Sequence, residues 1–456
     1  MSASASRLSL RETLRASHRL GERRLFGAAA AVGLADIAHA SAMTGDDLAG
    51  KTVLLRVEDP LFAAIGLVEL DGLARRIVLC PPDLADEQLP GVIETAGVEA
   101  VAYDRAPPPD AADLAAARIG LPARRPPPDA RPLHDTEWVM FTSGTSGPPK
   151  MVAHSLEGLT GAIKPPSPGE EPPVWATFYD IRRYGGLQIL LRALLGEGSM
   201  AITSPSEPMD AFLGRIAAVG VTHLTGTPSH WRRLLMTPGA AVAPRYVRLS
   251  GEIADQAVLD ALKARFPGVP IGHAYASTEA GVGFEVNDGL EGFPAAFVGR
   301  PGPVELRILD GSLQLRSGRA ASGYVGGGEA LADDAGFVDS GDMVELRGER
   351  YHFVGRRGGI INVGGLKAHP EEIEAVINRH PAVRMSRVRS RRSPITGAIV
   401  VAEAVLNTPA ADAAALKAEI LAECRASLAP YKVPASVTFV EALALNANGK
   451  LERPIG

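Results

Sequence analysis

Short apolar runs alternate with amphipathic stretches over residues 50 to 280. The short runs predict buried strands, and the stretches between several of them place apolar residues at helical spacing. The predicted strands are 51–56, 74–80, 199–203, 221–225, 246–250 and 269–273, and the predicted helices include 209–219 and 255–266. This alternation predicts an α/β fold of mostly parallel sheets covered by helices, with ligands bound at the carboxyl ends of strands.

The pattern changes near residue 300, where predicted hairpins replace helices. Segments 304–309 and 312–316 flank Asp310-Gly311, which is a strong two-residue turn signal. Segments 343–346 and 351–354 form a second such pair across 347–350. The large α/β unit is therefore predicted to end in a β-rich subdomain.

Residues 358 to 456 have helical patterns at 370–379 and 411–428, with strands between and after them. Gly358-Gly359 precedes this unit, and paired glycines make a good hinge. We predict a large N-terminal domain over 1–357 and a small mobile α+β domain over 358–456, with Gly358 as the hinge. A proline-rich segment, 107–128, is predicted to be a connector that contains a short helix.

Composition narrows the class of protein. A chain of 456 residues is too long for one ordinary core and predicts at least two domains. Charged residues make up 22% and the net charge is −5, so no basic field attracts nucleic acid. Cys80 and Cys424 lie far apart and predict buried thiols, not a disulfide framework or zinc site. Residues 1–50 contain no apolar run of membrane-spanning length, so we expect a cytoplasmic protein without a membrane partner.

Residues 141–150 read Phe-Thr-Ser-Gly-Thr-Ser-Gly-Pro-Pro-Lys, a composition suited to holding phosphate oxygens. Glycines let backbone N–H groups approach an anion, hydroxyls add donors, and Lys150 adds a positive charge. The spacing is not that of a Walker motif, because two prolines precede the lysine and no Ser or Thr follows it. A phosphate-binding loop outside the P-loop class is therefore predicted.

This loop and the residues after it resemble the nucleotide-binding signature of the acyl-adenylating enzymes, which include acyl- and aryl-CoA synthetases, peptide-synthetase adenylation domains and luciferases. Further segments resemble that superfamily's motifs in the same order, over roughly residues 45 to 456. They are Ser250-Gly251-Glu252, Tyr275-Ala276-Ser277-Thr278-Glu279, Ser340-Gly341-Asp342, Gly355-Arg356, 362–367, 370–374 and 448–453.

The resemblance implies an enzyme that uses ATP and Mg²⁺ to adenylate a small carboxylic acid and then passes the acyl group to a thiol. The adenylation step concentrates negative charge around the phosphates, so catalysis needs cations and hydrogen-bond donors that are already in place. Lys450 would bridge the carboxylate and the α-phosphate, Thr278 would contact that phosphate, Glu279 would carry Mg²⁺, and Lys367 would complete the catalytic set. The implied ATP-binding residues are Thr142, Ser143, Gly144, Thr145, Ser146, Gly147, Lys150, Ser250, Gly251, Glu252, Tyr275, Ala276, Ser277, Asp342 and Arg356.

The same resemblance places a substrate pocket at Tyr179, Arg183, Gly186, Thr227 and His273. Arg183 falls where the superfamily has a histidine or aromatic residue. It could clamp the reacting carboxylate or read a second anionic group, or Arg182 and Arg183 could be solvated or form a structural ion pair. A small polar, aromatic or dicarboxylic acid is favoured over a long-chain fatty acid.

The chain also departs from the superfamily's pattern at three other places. Gly358-Gly359 replaces a charged hinge residue, Lys367 replaces a common arginine, and Ala276 replaces a glycine. Losing the arginine removes a bidentate donor. Ala276 narrows the floor of the pocket by a methyl group.

The acceptor thiol stays open between coenzyme A and the phosphopantetheine arm of a carrier protein. The ending 445–450 resembles peptide-synthetase adenylation domains, which favours a carrier, whereas these 456 residues contain no carrier segment, which leads us to expect coenzyme A. Arg387, Arg389 and Arg391 would line one face of a strand, either as a docking patch for the acceptor or as a solvated edge. A non-catalytic nucleotide-binding relative is a further alternative.

Overall fold

The computed structural model describes residues 8–123, 134–142, 150–164, 169–237, 241–328, 330–393, 397–445 and 450–451. The chain builds two large mixed sheets, a five-stranded antiparallel sheet and two small sheets near its end. Within the described ranges, no helix combines the length and the apolar character needed to cross a bilayer.

The first large sheet is parallel at its centre and antiparallel at its edges. Its spatial order is β19-β9-β8-β5-β4-β6-β7-β3. Its strands are β3 (Ser41–Gly45), β4 (Thr52–Arg56), β5 (Arg76–Leu79), β6 (Ala100–Tyr103), β7 (Ala115–Ala123), β8 (Glu137–Phe141), β9 (Met151–Ser155) and β19 (Gly323–Tyr324).

The second large sheet has the order β15-β14-β13-β12-β10-β11-β1-β2. Its six central strands are parallel, and the outermost strand on each side is antiparallel to its neighbour. Its strands are β1 (Arg24–Phe26), β2 (Ala31–Gly33), β10 (Val174–Thr177), β11 (Ser199–Ile202), β12 (His223–Gly226), β13 (Tyr246–Ser250), β14 (Ile271–Ser277) and β15 (Gly281–Val286).

The remaining sheets follow in chain order. The antiparallel sheet contains β16 (Phe293–Pro294), β17 (Val304–Leu309), β18 (Ser312–Ser317), β20 (Val338–Arg347) and β21 (Arg350–Arg356). After a 3₁₀ turn at Arg357–Gly359 come β22 (Ile361–Val363), β23 (Leu366–Ala368), β24 (Val383–Ser393), β25 (Gly397–Leu406) and β26 (Val437–Phe439). The strands beyond the turn pack with two helices around a separate hydrophobic core.

Helices cover the sheets and bury apolar side chains against them. They are α1 (Leu10–Arg15), α2 (Leu34–His39), α3 (Pro60–Leu70), α4 (Leu89–Ala96), α5 (Leu156–Thr160), α6 (Tyr184–Leu195), α7 (Met209–Ala218), α8 (Pro228–Leu235), α9 (Gln256–Arg265), α10 (Pro370–Ile377) and α11 (Ala413–Ser427). The largest core lies between the two large sheets and includes α3 and α6, whereas α7, α8 and α9 cover the outer face of the second sheet. This layering leaves the carboxyl ends of the central strands free to build a site.

The predicted α/β class and β-rich subdomain agree with these elements. The strand predicted at 246–250 has those bounds, and Asp310 and Gly311 both have positive φ, at 50° and 76°, as a type I′ hairpin requires. The prediction of a connector over 107–128 was wrong for residues 115–123. Residues 115–123 form a strand that pairs with β6 and β3, because neighbours on both sides satisfy its backbone despite a weak apolar pattern.

Candidate active site

A tyrosine, an aspartate and an arginine meet where the antiparallel sheet approaches the second large sheet. β20 and β21 pair Asp342 directly with Arg356. The Asp342 carboxylate accepts a hydrogen bond from the Tyr275 hydroxyl at 2.6 Å on one oxygen and from Arg356 Nε at 2.8 Å on the other. Stacking of the Tyr275 ring on Phe353 and Phe284, at 5.4 and 5.5 Å between centroids, fixes that hydroxyl.

The electrostatics of this cluster follow from burial and pairing. Burial, and then the negative charge of Asp342, raises the pKa of Tyr275 well above its usual value, so the hydroxyl remains a donor. The carboxylate of Asp342 raises the pKa of Arg356. Each Asp342 oxygen retains lone-pair capacity beyond these bonds, so the carboxylate can accept two further hydroxyl donors.

Lys450 lies half-buried near this cluster, although it belongs to the end of the chain. Its Cε is 3.4 Å from the position that a β-carbon on Gly251 would occupy. Burial lowers the pKa of Lys450, while the nearby carboxylates of Glu252 and Asp342 oppose that shift. The backbone N–H of Leu451 donates to Glu252 Oε1 at 3.0 Å, so the last described residues are bonded to the large α/β unit.

The Gly251 turn is supported by the start of α8. Glu252 accepts hydrogen bonds from the N–H and the hydroxyl of Ser229, at 2.9 and 3.0 Å. Thr227 caps α8, and its methyl group lies beneath Gly251, whose φ of 85° favours glycine. The Tyr179 hydroxyl donates to the Ser250 carbonyl at 2.8 Å. Five of the predicted residues are thus brought together next to Lys450: Tyr179, Thr227, Ser250, Gly251 and Glu252.

The segment from Ala276 to Glu279 ends β14 and turns toward β15. His154 of β9, which is fully buried, places Nε2 at 2.8 Å from the Thr278 carbonyl oxygen. Burial lowers the pKa of His154 to about 4, so the ring is neutral and donates its Nε2–H to that carbonyl. Ser277 accepts a hydrogen bond from the Ala280 N–H at 2.9 Å, and the carbonyl of Glu279 accepts one from Ala321.

His154 is a residue that sequence reasoning did not select. It stands in the segment that follows the predicted phosphate loop, but it faces inward from a strand. The available signal was a histidine among apolar strand residues, and that pattern more often marks a core position than a site.

The predicted phosphate loop is described only at its ends. Ser143, Gly144, Thr145, Ser146 and Gly147 lie outside the described residues. Thr142 donates its backbone N–H to the Lys150 carbonyl at 2.9 Å, closing the hairpin of β8 and β9. The Lys150 ammonium lies 5.7 Å from the centre of the Tyr324 ring.

Other predicted residues have structural contacts. His273 directs Nε2 to the Leu290 carbonyl at 2.9 Å, among the charges of Asp288 and Arg350. Gly186 packs so closely on the Asp180 carbonyl that a β-carbon would lie 2.2 Å from it. Lys367 is exposed on β23. The roles assigned to these residues stay predictions.

The two adjacent arginines differ. Arg182 is buried, pairs with Asp180 and donates to the Val57 carbonyl, which corresponds to the structural ion pair rather than a solvated residue. Arg183 forms an ion pair with Asp83, while its charge also acts on Lys450. If Arg183 bound a carboxylate of the substrate, that carboxylate would have to compete with Asp83 for the Arg183 guanidinium.

Two other arginines lie near each other: Arg248 on β13 and Arg192 on α6. Arg248 is 7% exposed, and its Nε lies 3.9 Å from Glu285 Oε1. Arg192 of α6 has a buried Nε with no hydrogen-bond acceptor among the described residues. Neither arginine was predicted from the sequence, although an arginine between apolar strand residues, as in Val247-Arg248-Leu249, is a usable signal.

Tyr275, Asp342 and Arg356 thus form a hydrogen-bonded cluster whose charges act on Lys450, from the end of the chain. The chain matches the AMP-binding enzyme family over residues 71–325 and that family's C-terminal domain over 372–450. This protein therefore belongs to the AMP-binding enzyme family.

Individual relatives are consistent with this family assignment. The 2-succinylbenzoate–CoA ligase of Listeria innocua is 30% identical over 351 residues, covering 70% of this chain and 69% of that protein. The mitochondrial acyl-coenzyme A synthetase ACSM4 of Rattus norvegicus is 28% identical over 354 residues, covering 70% and 60%.

Solved structures share the fold at lower identity. The Bacillus subtilis o-succinylbenzoate CoA synthetase bound to its acyl-adenylate intermediate has a TM-score of 0.71 at 19% identity, with 96% of both chains covered. ATP-bound MatB from Rhodopseudomonas palustris has a TM-score of 0.75 at 20% identity, with 97% of both chains covered. These likenesses confirm the predicted fold class.

Proposed function

We propose that this enzyme is an ATP-dependent carboxylate–CoA ligase. A carboxylate oxygen of the acid attacks the α-phosphorus of ATP, the bond to pyrophosphate breaks, and pyrophosphate leaves with the electron pair. The sulfur of coenzyme A then attacks the acyl carbon, AMP leaves, and the thiol proton passes to solvent. The names of the relatives, which are CoA ligases and acyl-CoA synthetases, support this reaction.

One observation carries the proposal: the ammonium of Lys450 is held in the cleft with Gly251 and Glu252 on one side and the Asp342 cluster on the other. A nucleotide whose ribose hydroxyls bind the Asp342 carboxylate would direct its phosphates toward this cleft. A pre-placed cation there neutralises charge that develops on the phosphate, and it is worth far more in a buried cleft than in water.

The residues fit Mg²⁺ bound together with ATP. Among the described residues, no three carboxylate, histidine or cysteine side chains cluster as ligands. Mg²⁺ commonly binds through one or two carboxylates plus phosphate oxygens, so Glu279, half-buried near Arg356, is a suitable single protein ligand. Bound there, the ion would neutralise phosphate charge. His154 would hold the backbone of this segment in place.

We further propose that residues 1–357 and 358–456 act as two domains that rotate about Gly358. Gly358 is exposed in the 3₁₀ turn, and nothing lies within 4 Å of where its β-carbon would be. Rotation would withdraw Lys450 and break the Leu451–Glu252 bond, so that the thiol could enter on the vacated side. Thr142 and Lys150, with the segment between them, would hold the outer phosphates of ATP.

Coenzyme A is the favoured acceptor because the relatives named above are CoA ligases. Loading of a carrier protein is the competing function. The arginine patch does not favour it, because Arg387 and Arg389 both form ion pairs with Glu403 on the neighbouring strand, at 2.6 and 3.3 Å.

The test is a panel of carboxylic acids assayed for pyrophosphate release and for thioester formation, with CoA and with a phosphopantetheinylated carrier as alternative acceptors. We expect acid-dependent pyrophosphate release and a CoA thioester. A thioester on the carrier but none on CoA would favour the competing function. No acid-dependent release of pyrophosphate or AMP would contradict the proposal.

A further inference from the structure

Two neighbouring guanidinium groups, on β13 and α6, lack hydrogen-bond acceptors among the described residues. Arg248 projects from β13 and has one ion-pair partner among the described residues, Glu285, at 3.9 Å, beyond hydrogen-bond distance. Arg192 projects from α6, and its buried Nε lacks an acceptor. Buried arginines are normally paired or hydrogen-bonded, since an unpaired buried donor costs stability.

The charges around these groups do not balance. Burial, and then repulsion from Arg248, lowers the pKa of Arg192 to about 10. Arg319 adds a third cation near Tyr184, and its Nη1 donates to the Val282 carbonyl at 3.3 Å. Among the described residues, the carboxylate that acts on both Arg248 and Arg192 is Glu285, which already accepts a hydrogen bond from the Tyr246 hydroxyl. The region therefore has an excess of positive charge.

This positive charge lies on the face of β13 that also carries Ser250, next to the proposed reacting centre at Lys450. Val247 and Leu249 point into the core under α9, so the alternate residues Arg248 and Ser250 point to the opposite face. Two residues along a strand span about 7 Å. Tyr179 lies between Arg248 and the Gly251 turn. Its hydroxyl donates to the Ser250 carbonyl, and the charges of both Arg248 and Glu252 act on it.

We propose that Arg248 and Arg192 bind a second carboxylate of the acid substrate, so that the enzyme acts on dicarboxylic acids. This inference rests on the proposed ligase function. One carboxylate reacts beside Lys450, and the other, at the far end of the acyl group, accepts the paired N–H donors that the protein leaves unused. Guanidinium groups suit this role because their planar donors match the two oxygens of a carboxylate.

The experiment compares matched acids that differ in one carboxylate. The pairs are glutarate with pentanoate, and 2-succinylbenzoate with 4-oxo-4-phenylbutanoate, which lacks the ring carboxylate. Pyrophosphate release gives kcat/KM for each acid with the wild type, Arg248→Met, Arg192→Met and Arg248→Lys. Arg24→Met, at an exposed position of β1, serves as the control.

We expect the wild type to favour at least one dicarboxylate over its partner by about 10-fold or more, and Arg248→Met to lower kcat/KM for that dicarboxylate by roughly 100-fold. Activity on the monocarboxylate should change by less than about 3-fold, and Arg248→Lys should lose less than Arg248→Met. Equal loss on both acids of a pair, or a wild-type preference for monocarboxylates, would overturn the inference while the ligase function stands.

A second measurement is independent of the acid. Because Arg248 is not satisfied in the free protein, Arg248→Met should leave the Tm unchanged or raise it. A Tm lowered by several degrees would show that Arg248 is structural and would overturn the inference. Absence of pyrophosphate release with every acid, from a wild type that unfolds cooperatively, would instead contradict the ligase function.

Discussion

The two ends of the cleft differ in how completely the protein satisfies its own polar groups. At the nucleotide end, both oxygens of Asp342 are hydrogen-bonded and the Tyr275 ring is held between two phenylalanines. At the acyl end, Arg248 and Arg192 stand without hydrogen-bond acceptors among the described residues. On the proposed assignment, the nucleotide end is pre-organised before ligand arrives, whereas the acyl end would be completed by the ligand.

This difference explains what each end determines. A pre-organised cluster binds the same cosubstrate in every turnover and supplies rate. Unsatisfied donors discriminate among acids, because an acid that lacks the complementary group leaves them unpaired. We therefore expect changes at the nucleotide end to affect all acids equally and changes at the acyl end to alter their ranking.

The largest effect is expected for Lys450→Ala, which removes the cation between the two ends. Pyrophosphate release should fall by about 100-fold or more for every acid, because a pre-organised charge at the reacting phosphate is lost. Thioester formation from a supplied acyl-adenylate should be retained. Lys263→Ala, at a half-exposed position of α9, is the control, and a loss confined to one class of acid would contradict the assignment.

The charge of Lys450 can also be removed by titration. Burial lowers the pKa of this ammonium, so it is charged below the lowered pKa and neutral above it. Adenylation should therefore decline with rising pH at a lower pH than an ordinary lysine titrates. A rate profile measured for Lys450→Arg should lack that decline, since arginine stays charged.

The next effect is expected for Asp342→Asn. Replacing the carboxylate weakens the bonds to Tyr275 and Arg356 and those proposed to the ribose, so KM for ATP should rise by about 10-fold or more. The ranking of acids should not change. Asp334→Asn, at an exposed position, is the control, and an altered ranking with an unchanged KM for ATP would break the division between the two ends.

A smaller effect is expected for His154→Leu. Without its bond to the Thr278 carbonyl, the segment that carries Thr278 and Glu279 should be less well oriented, and kcat should fall by about 10-fold with little change in KM. His154→Gln, which retains a donor, should recover part of the loss. Full activity of the leucine variant would show that His154 only fills space.

The smallest effects on activity are expected at Gly355 and Gly358, near the boundary between residues 1–357 and 358–456. Gly358→Ala should change either half-reaction by less than about twofold, because its side chain would meet nothing. Gly355→Ala should lower adenylation several-fold, because φ is 141° and a β-carbon would lie 2.3 Å from Glu371 Oε2. Assays of both half-reactions check the pair, and a larger loss in adenylation for Gly358→Ala would contradict this order.

Some strands and site residues could be predicted from the sequence, and others could not. Strands with continuous apolar runs, such as β4, lie within the predicted segments because burial on both faces leaves a clear pattern. The strand at 115–123 was missed because Ala, Gly and Pro carry little strand propensity, and its neighbours in the sheet decide its conformation. Asp342 and Lys450 were selected from motifs, whereas Arg248 and His154 were missed because only the folded chain shows what each side chain contacts.

The short strand β19 has a consequence for how the protein is made. Gly323–Tyr324 completes the first sheet by pairing with Val152–Ala153, whereas β1 and β2, near the start of the chain, belong to the second sheet. The chain thus crosses between the sheets in both directions. The second sheet contains all its strands only after Val286 has been synthesised, and the first sheet only after Tyr324. Pairings so distant in sequence form slowly. Nascent chains shorter than this should expose unpaired strand edges, which makes ribosome-bound intermediates targets for chaperones.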